Sequence, residues 1–349
     1  MPHGGSVGRT VLVTGAARQL GGRFARHLGR APEASRVVAV DTRRPASPLR
    51  GAEFVRADIR GPDLLGLLVE YGVDTVVHLD VHGTPAAPGA GRAAVKERNV
   101  LGTLQLLGAC QRLPGLRRVV VRSSTRIYGG SARAPAVFGE DAPPASPASG
   151  FTRDLAEIEE YVRGFARRRP DVAVTVLRFA DVLSPAAGSF LASYFRLPVL
   201  PTVLGYDPRL QVVHEDDALD VLLRAVREEG PGAVPDGTFN VAAAGVLTLS
   251  QAARRLGRPT VPVPGRLAPW LGSGLAALRL PGVSAEQLRS LTHGRVVRTD
   301  RLREVMGGPL EYTTAETFAD FAAAVGAGPL PPEAVSRAVD RLERLVRRG

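Results

Sequence analysis

The chain has 349 residues, of which 44% are hydrophobic, enough to bury the core of one large domain or two smaller ones. Its formal charge of +11 comes almost entirely from arginine, because Lys96 is the sole lysine. The arginines are scattered and aromatic residues make up only 5% of the chain, which argues against nucleic-acid binding as the main role.

The N-terminal segment, MPHGGSVGRT, contains no apolar signal segment. No apolar run approaches the length that spans a bilayer, and the nearest one, 267–278, is short and interrupted by proline and glycine. Cys110, the only cysteine, falls in an apolar helical run and is expected to be a buried thiol in a reducing compartment. We therefore expect a cytoplasmic protein without membrane association.

Short β-branched runs alternate with helical patterns along the first two thirds of the chain. The pattern predicts strands at 10–14, 36–40, 52–57, 74–79, 117–123, 172–179 and 237–242. It predicts helices near 19–30, 62–71, 91–112, 151–168 and 215–228. Continuous apolar strands separated by helices indicate an α/β fold with a doubly wound, Rossmann-type parallel sheet.

The alternation of strands and helices breaks up after residue 182, where prolines and short helical patterns become frequent. We therefore predict a dinucleotide-binding domain from 1–182 and 211–243. Residues 183–210 and 244–349 are expected to form a smaller C-terminal substrate lobe.

The run TGAARQLGG, residues 14–22, directly follows the first strand and leads into a helix. Gly15 suits a tight turn, and Gly21 lets the helix pack closely on the strand, so helix N-terminal amides can face a pyrophosphate. Arg18 occupies the place of the middle glycine in a G-x-x-G-x-x-G spacing. Its side chain either crowds the phosphate or places a guanidinium beside it.

Acidic and apolar residues after the next two strands suit an adenosine. Asp41 ends the second predicted strand, where a carboxylate can accept hydrogen bonds from both ribose hydroxyls and repels a 2′-phosphate. NAD is therefore expected rather than NADP, although Arg43 and Arg44 follow at once. Asp58 and Ile59 follow the third strand and are placed for the adenine edge and face.

These motifs, in this order and spacing, resemble the extended short-chain dehydrogenase/reductases of the NAD-dependent epimerase/dehydratase family, and within it the UDP-glucose epimerase-like members. The resemblance covers nearly the whole chain and includes VDTVVHL, NVLGTLQLL, VRSSTRIYG, VTVLRFADVLSP, HEDDALDVLLRA and GTFNVA. It implies a dinucleotide in the large lobe and a nucleotide sugar held by the small one. It also implies that a homodimer would form through the helices at 91–112 and 151–168.

The resemblance fails at the residues that move protons. In that family, the helix after the fifth strand carries Tyr-x-x-x-Lys, and a serine or threonine lies four residues before a Tyr-Gly pair. Ser124 matches the serine, since it lies four residues before Tyr128, but Phe151 and Leu155 occupy the dyad positions. No tyrosine of the chain is followed by a lysine four residues later, so the motif occurs nowhere.

Loss of this dyad removes the family's acid–base chemistry. The tyrosine takes a proton while hydride passes to the nicotinamide, and the lysine lowers the tyrosine pKa. Loss of the general base alone is expected to cost roughly 10²–10⁴-fold in rate. Phe151 carries no exchangeable proton, Leu155 brings no charge, and Ser124 without a base beside it is only a hydrogen-bond donor.

Two residues remain as replacement bases. Tyr128 lies near the expected site, where it also suits a packing and pocket-wall role. Asp80, in HLDVHG, could act as a base, disfavour a pyrophosphate or cap the following turn. His78, Asp80 and His82 would share one face if the strand continued, but it is expected to end near Leu79, so no metal site is predicted.

The predicted substrate lobe departs from the family pattern at two positions of R-x-x-N-x-x-G-P, which here reads RFADVLSP, with Ser184 in place of the glycine. Arg178 is present, but Asp181 replaces the asparagine, so an amide that could donate to a sugar or phosphate becomes an anion. Arg209 stands where the resemblance implies an arginine on the substrate pyrophosphate, and a solvated surface role is the alternative.

These residues leave three hypotheses. The first is an NAD-binding protein that responds to a cofactor or nucleotide sugar without the standard chemistry. The second is an active epimerase or dehydratase with Asp80 or Tyr128 as an unusual base. The third is a structural or partner-binding protein whose cleft takes no dinucleotide.

Overall fold

The computed structural model describes residues 9–83, 91–146, 148, 150–185, 189–227, 230–263 and 291–326. Within these ranges the strands are β1 Thr10–Thr14, β2 Arg36–Asp41, β3 Glu53–Arg56, β4 Thr75–His78, β5 Arg118–Ser124, β6 Ala173–Phe179, β7 Asp181–Leu183, β8 Leu200–Val203, β9 Arg209–Leu210, β10 Val212–His214, β11 Gly237–Val241, β12 Leu247–Thr248 and β13 Thr260–Val263.

Seven of these strands form one parallel sheet in the order β11-β6-β5-β4-β1-β2-β3. They are the seven strands that the sequence predicts. The strand order reverses between β1 and β4, and in such sheets ligands bind beyond the carboxyl ends of the strands at this reversal. The motifs after β1, β2, β4, β5 and β6 therefore converge on one edge of the sheet.

Helices cover both faces of the sheet. The described α-helices are α1 Gln19–Leu28, α2 Leu64–Glu70, α3 Arg92–Lys96, α4 Gly102–Arg112, α5 Gly150–Arg168, α6 Phe190–Phe195, α7 Glu215–Val226, α8 Leu249–Arg255, α9 Asp300–Met306 and α10 Thr314–Val325. A π-helical turn, Glu97–Leu101, joins α3 to α4. Apolar side chains of α2, α4 and α5 fill one core, and those of α1, α7 and α9 fill the other, which confirms the doubly wound arrangement.

A third apolar cluster lies beside the main sheet and joins α6, α8 and α10. Two short strand pairs belong to the same part of the chain, β8 with β13 in parallel and β9 with β12 antiparallel. A further parallel pair, β7 with β10, lies where the chain passes between the two parts. The lobe boundaries predicted from the sequence stay a prediction.

Cys110 lies fully buried on α4, and burial raises the pKa of its thiol to about 12. The prediction of a buried thiol is therefore confirmed. Among the described helices, none is both long and apolar enough to cross a membrane.

Candidate functional site

The turn after β1 holds the start of α1 against the sheet through two glycines. Gly15 has a φ of +76°, which L side chains rarely adopt. A β-carbon on Gly21 would overlap the carbonyl oxygen of Gly15. Both glycines therefore occupy positions where the backbone itself excludes a side chain, as their spacing predicts.

Arg18 directly precedes α1, and its side chain lines the cleft at the carboxyl edge of the sheet. Burial lowers the pKa of its guanidinium, and the nearby Asp80 carboxylate opposes this shift. The arginine that replaces the middle glycine of the motif thus lies inside the cleft, beside the N-terminus of α1, where an anionic group would be favoured.

Asp41 is buried at the end of β2 and supports the turn. Its Oδ2 accepts a hydrogen bond from the Ala17 backbone N–H at 3.0 Å, and its Oδ1 accepts one from the Arg43 backbone N–H at 3.1 Å. Oδ1 also accepts a hydrogen bond from Thr42 Oγ1 at 3.4 Å, so Oδ2 is the carboxylate oxygen that retains a lone-pair site. The predicted ribose ligand therefore also fixes the shape of the glycine turn.

A small cavity, of about 10 Å³, lies between the carboxyl ends of β1, β2, β3 and β4. Asp58 and Ile59 line it, and their predicted contact with an adenine stays a prediction. Asp58 is ion-paired to Arg60 at 2.7 Å, which lowers the pKa of its carboxyl. The buried Ile59 side chain packs against Gly102. The volume is about that of one water molecule.

Arg98 closes this small cavity. Its guanidinium lies 3.2 Å from Asp80 Oδ2 and donates to Thr42 Oγ1 at 3.3 Å, so it spans the ends of β4 and β2. Burial raises the pKa of Asp80 to about 6, although Arg98 opposes the shift. The other carboxylate oxygen, Oδ1, is buried without a hydrogen-bond partner.

The two histidines near Asp80 have different partners. The ring nitrogens of His78 lie 2.8 Å from Thr14 Oγ1 and 2.9 Å from Thr103 Oγ1, and burial lowers the pKa of His78 to about 4. His82 Nδ1 lies 3.1 Å from an Arg122 nitrogen, and His82 Nε2 lies 3.6 Å from Asp80 Oδ1. In the part of the chain that the structure describes, no group of three His, Cys, Asp or Glu side chains is arranged to hold a metal ion.

The larger cavity, of about 340 Å³, is the main feature of the cleft. Its walls come from the glycine turn, from the segment after β4, from the end of β5 and from the end of β6 with the start of β7, namely residues 17–20, 81–83, 122–124 and 179–182, together with Arg43, Arg126, Phe151, Ser189, Phe190 and Glu215. Residues at or just beyond the carboxyl ends of four strands of the sheet thus surround one space.

The two dyad positions differ in their surroundings. Phe151 lies in the cavity wall, and its ring faces Gly83. A β-carbon added at Gly83 would lie 3.0 Å from the Phe151 ring. Leu155 lies one turn further, is 0% exposed, and packs in the apolar core. Ser124 lines the same cavity, and its Oγ accepts a hydrogen bond from the Arg126 backbone N–H at 3.3 Å. No acid–base pair stands on this helix face at the cavity.

Tyr128 and Arg178 do not line the cavity and belong to a buried polar network. Arg178 forms a two-point ion pair with Glu159, at 2.9 and 2.6 Å, and donates to Tyr128 Oη at 2.8 Å. The Tyr128 hydroxyl donates to Asn240 Oδ1 at 2.7 Å, and burial raises its pKa. The prediction that these two residues bind substrate is corrected, because the protein itself saturates their polar groups.

Asp181 does line the cavity, but it is paired with Arg126 at 2.8 Å. Arg209 is exposed outside the cavity wall, and it donates to the Ala136 carbonyl at 2.9 Å. Arg209 thus links β9 to the segment around Ala136, and its predicted contact with a substrate pyrophosphate stays a prediction.

Sequence reasoning missed the arginine that lines the cavity from within β5. Arg122 donates to the Val81 carbonyl at 3.2 Å and lies 3.1 Å from His82 Nδ1. Burial, with Arg18 as the next contribution, lowers its pKa to about 10. A charged residue inside the apolar run VVVRSS is the signal that could have identified it. Glu159 carried no such signal, because it falls among the other acidic residues of α5.

Comparison with protein-family models gives one match. The NAD dependent epimerase/dehydratase family model matches residues 11–242. An uncharacterized protein of Mycobacterium tuberculosis is 44% identical over 92% of this chain and 85% of its own length. A second uncharacterized protein of that organism is 29% identical over 90% of this chain and 30% of its own length.

Solved structures share the fold at low identity. MoeE5 in complex with UDP-glucuronic acid and NAD is 22% identical with a TM-score of 0.69, and the match covers 91% of this chain and 98% of MoeE5. UDP-glucuronic acid 4-epimerase from Bacillus cereus, in complex with UDP-glucuronic acid and NAD, is 16% identical with a TM-score of 0.69 over 90% of this chain and 98% of that one. These structures establish the Rossmann-type fold of the chain.

Proposed function

Because this chain belongs to the NAD-dependent epimerase/dehydratase family, we propose that it binds NAD and a nucleotide sugar or similar small molecule without the family's tyrosine–lysine proton transfer. One contrast carries the proposal. Gly15 and Gly21 form the phosphate turn, whereas Phe151 supplies a hydrocarbon wall to the cavity and Leu155 is buried in the core.

The residues present fit the pyrophosphate and the adenosine ribose of NAD. The glycine cradle leaves no room for a β-carbon at Gly21, so the turn brings backbone close to where a pyrophosphate binds at the start of α1. Asp41 retains acceptor capacity for ribose hydroxyls, and its negative charge disfavours the 2′-phosphate of NADP. Arg98 has to leave the small cavity to admit the adenosine, since the space it closes holds about one water.

NAD, when bound, supplies a hydride acceptor or donor. The chain's own residues then orient the ligand and exclude water, but Phe151 neither takes nor gives a proton at the cavity wall. Support for a nucleotide sugar comes from the UDP-sugar and NAD complexes of MoeE5 and the Bacillus epimerase. A cytoplasmic location and a homodimer through residues 91–112 and 151–168 are further parts of the proposal. The location is carried by the sequence reasoning, and the homodimer by the family resemblance.

A second candidate is an active epimerase or dehydratase with Asp80 as its base. The pKa of Asp80, which burial raises to about 6, favours this candidate, because a general base works best with a pKa near the working pH. The Oδ1 atom of Asp80 accepts no hydrogen bond, and the nearest polar group, His82 Nε2, lies 3.6 Å away. Tyr128 is a weaker base, since its hydroxyl is held by Arg178 and Asn240 and its pKa is raised.

The proposal is tested by calorimetry with NAD and then by a turnover assay. We expect NAD to bind the wild-type protein and to bind Asp41→Ala more weakly. We also expect no conversion of UDP- or TDP-sugars, which chromatography of the sugar nucleotides measures, because an epimerase or dehydratase that returns its hydride regenerates NAD and leaves no net change in nicotinamide absorbance. Absence of NAD binding at millimolar concentration would overturn the binding proposal. Turnover that disappears in Asp80→Asn would establish the second candidate.

A further inference from the structure

Arg122 forms no ion pair with a carboxylate of the described residues, although Asp181 and Asp80 act on its charge from farther away. Arg98, Arg126 and Arg178, three other arginines near this edge of the sheet, each lie within 3.2 Å of a carboxylate oxygen. Arg122 instead contacts two neutral acceptors, and no carboxylate oxygen among the described residues lies within 4.0 Å of it. Because burying a cation without a counter-ion is unfavourable, this guanidinium is suited to an anion that comes from outside the chain.

His82 orients Arg122 without neutralising it. A guanidinium has only donors, so the His82 Nδ1 that it contacts accepts the hydrogen bond and the ring proton lies on Nε2. Burial and the nearby Arg18 guanidinium hold the pKa of His82 well below its ordinary value. The imidazole is therefore uncharged at neutral pH, and the positive charge of Arg122 stays available at the cavity.

The rest of the cavity wall adds to this positive charge. The two acidic residues of the wall, Asp181 and Glu215, are already ion-paired, Asp181 with Arg126 and Glu215 with Arg23. The side chain of Arg18 lines the same space. A cavity lined by one surplus sign of charge concentrates ligands of the opposite sign.

We propose that this cavity binds a small ligand through a carboxylate or phosphate group that Arg122 hydrogen-bonds. The inference deepens the proposed function, on which it rests, because it names the ligand class of the same cleft. A guanidinium can bond two oxygens of such a group in one plane, which gives specificity as well as attraction. The 340 Å³ of space is in the range of small-molecule sites.

Calorimetry with matched probes tests the inference. UDP-glucuronate and UDP-glucose differ by one carboxylate, and orthophosphate represents the phosphate alone. Each is titrated into wild-type protein, Arg122→Gln, and the control Arg153→Gln, whose side chain is 67% exposed on α5 outside the cavity wall. Circular dichroism verifies that both variants are folded. NAD is titrated into the same three proteins.

We expect Arg122→Gln to weaken binding of at least one anionic probe tenfold or more, since a hydrogen bond to a charged group has about that effect. Arg153→Gln should bind like the wild type. An effect on UDP-glucuronate alone identifies a carboxylate site, and an effect on all three probes identifies a phosphate site. Equal affinity of Arg122→Gln and wild type for every probe, or no binding of any probe to the wild type at millimolar concentration, would overturn the inference. If NAD binds the wild type while either of these two results is obtained, the inference about Arg122 fails but the proposed function stands. Failure of the inference and failure of the proposed function are therefore distinguishable.

Discussion

The two ends of the cleft are built on the same sheet edge but differ in what constrains them. At the β1–β2 end, Gly15 and Gly21 are fixed by backbone contacts, because any side chain there would displace α1. At the β5–α5 end, only side-chain packing constrains positions 151 and 155, and the hydrocarbon side chains of Phe151 and Leu155 fill the space there. The glycine turn therefore does not depend on which side chains stand at positions 151 and 155.

The prediction with the largest expected effect concerns a tyrosine and a lysine introduced at positions 151 and 155 of α5. We expect Phe151→Tyr to fold normally, because its ring lies at the cavity wall. Leu155→Lys should lose roughly 4–7 kcal/mol of unfolding free energy, because full burial lowers a lysine pKa by about 3–5 units at 1.36 kcal/mol each. Denaturant unfolding measures the loss, and Leu155→Met, expected to lose less than about 1.5 kcal/mol, is the control.

The double variant Phe151→Tyr with Leu155→Lys checks the burial of position 155. If its unfolding midpoint in denaturant equals that of the wild type, position 155 is not confined to the apolar core and its side chain can reach the cavity.

A second test breaks the buried network behind the same wall. Glu159→Gln leaves Arg178 buried without a carboxylate, because Glu159 is its partner at 2.6 Å. We expect a loss of about 3–5 kcal/mol in unfolding free energy. Arg153→Ala removes only an exposed contact to Glu157 at 3.5 Å and should change stability by less than about 1 kcal/mol. Equal effects of the two variants would show that the network is not structural.

A third test uses pH at Asp80, which lies between the two ends. Its folded-state pKa is raised from 3.8 to about 6 by burial, so the folded state holds the proton more tightly than the unfolded state. The wild type should therefore lose stability as pH rises from about 4 to 6, by about 3 kcal/mol relative to Asp80→Asn. The lowered pKa of His78, about 4, affects both proteins alike.

Urea unfolding of the wild type and of Asp80→Asn, repeated at intervals between pH 4 and pH 7.5, measures how the stability difference between them changes with pH. A stability difference between wild type and Asp80→Asn that stays constant over that range would show that the carboxyl titrates normally.

The smallest test concerns the β1–β2 end. Gly21→Ala places a β-carbon against the Gly15 carbonyl, and we expect it to cost about 1–3 kcal/mol and to weaken NAD binding. Gly108→Ala on α4, where a β-carbon would meet nothing within 4 Å, should instead stabilise by about 0.5–1 kcal/mol. Thermal unfolding and NAD calorimetry compare the two, and a stable Gly21→Ala with wild-type NAD affinity would contradict the assigned constraint.

The sequence by itself determined the sheet and the missing dyad. Strand and helix periods are local, so all seven strands of the sheet and the glycine turn could be predicted. The sole lysine, Lys96, excluded Tyr-x-x-x-Lys without any structure.

Only the tertiary structure decided which charged side chains serve the cleft and which serve the core. Arg178 and Arg122 come from neighbouring strands and are both arginines in apolar runs, yet one meets the buried Glu159 and the other meets only neutral acceptors. The difference arises because segments that are distant in the sequence bring different groups within a few ångströms of each arginine. The packing of those segments sets the distances, and the linear sequence does not specify them.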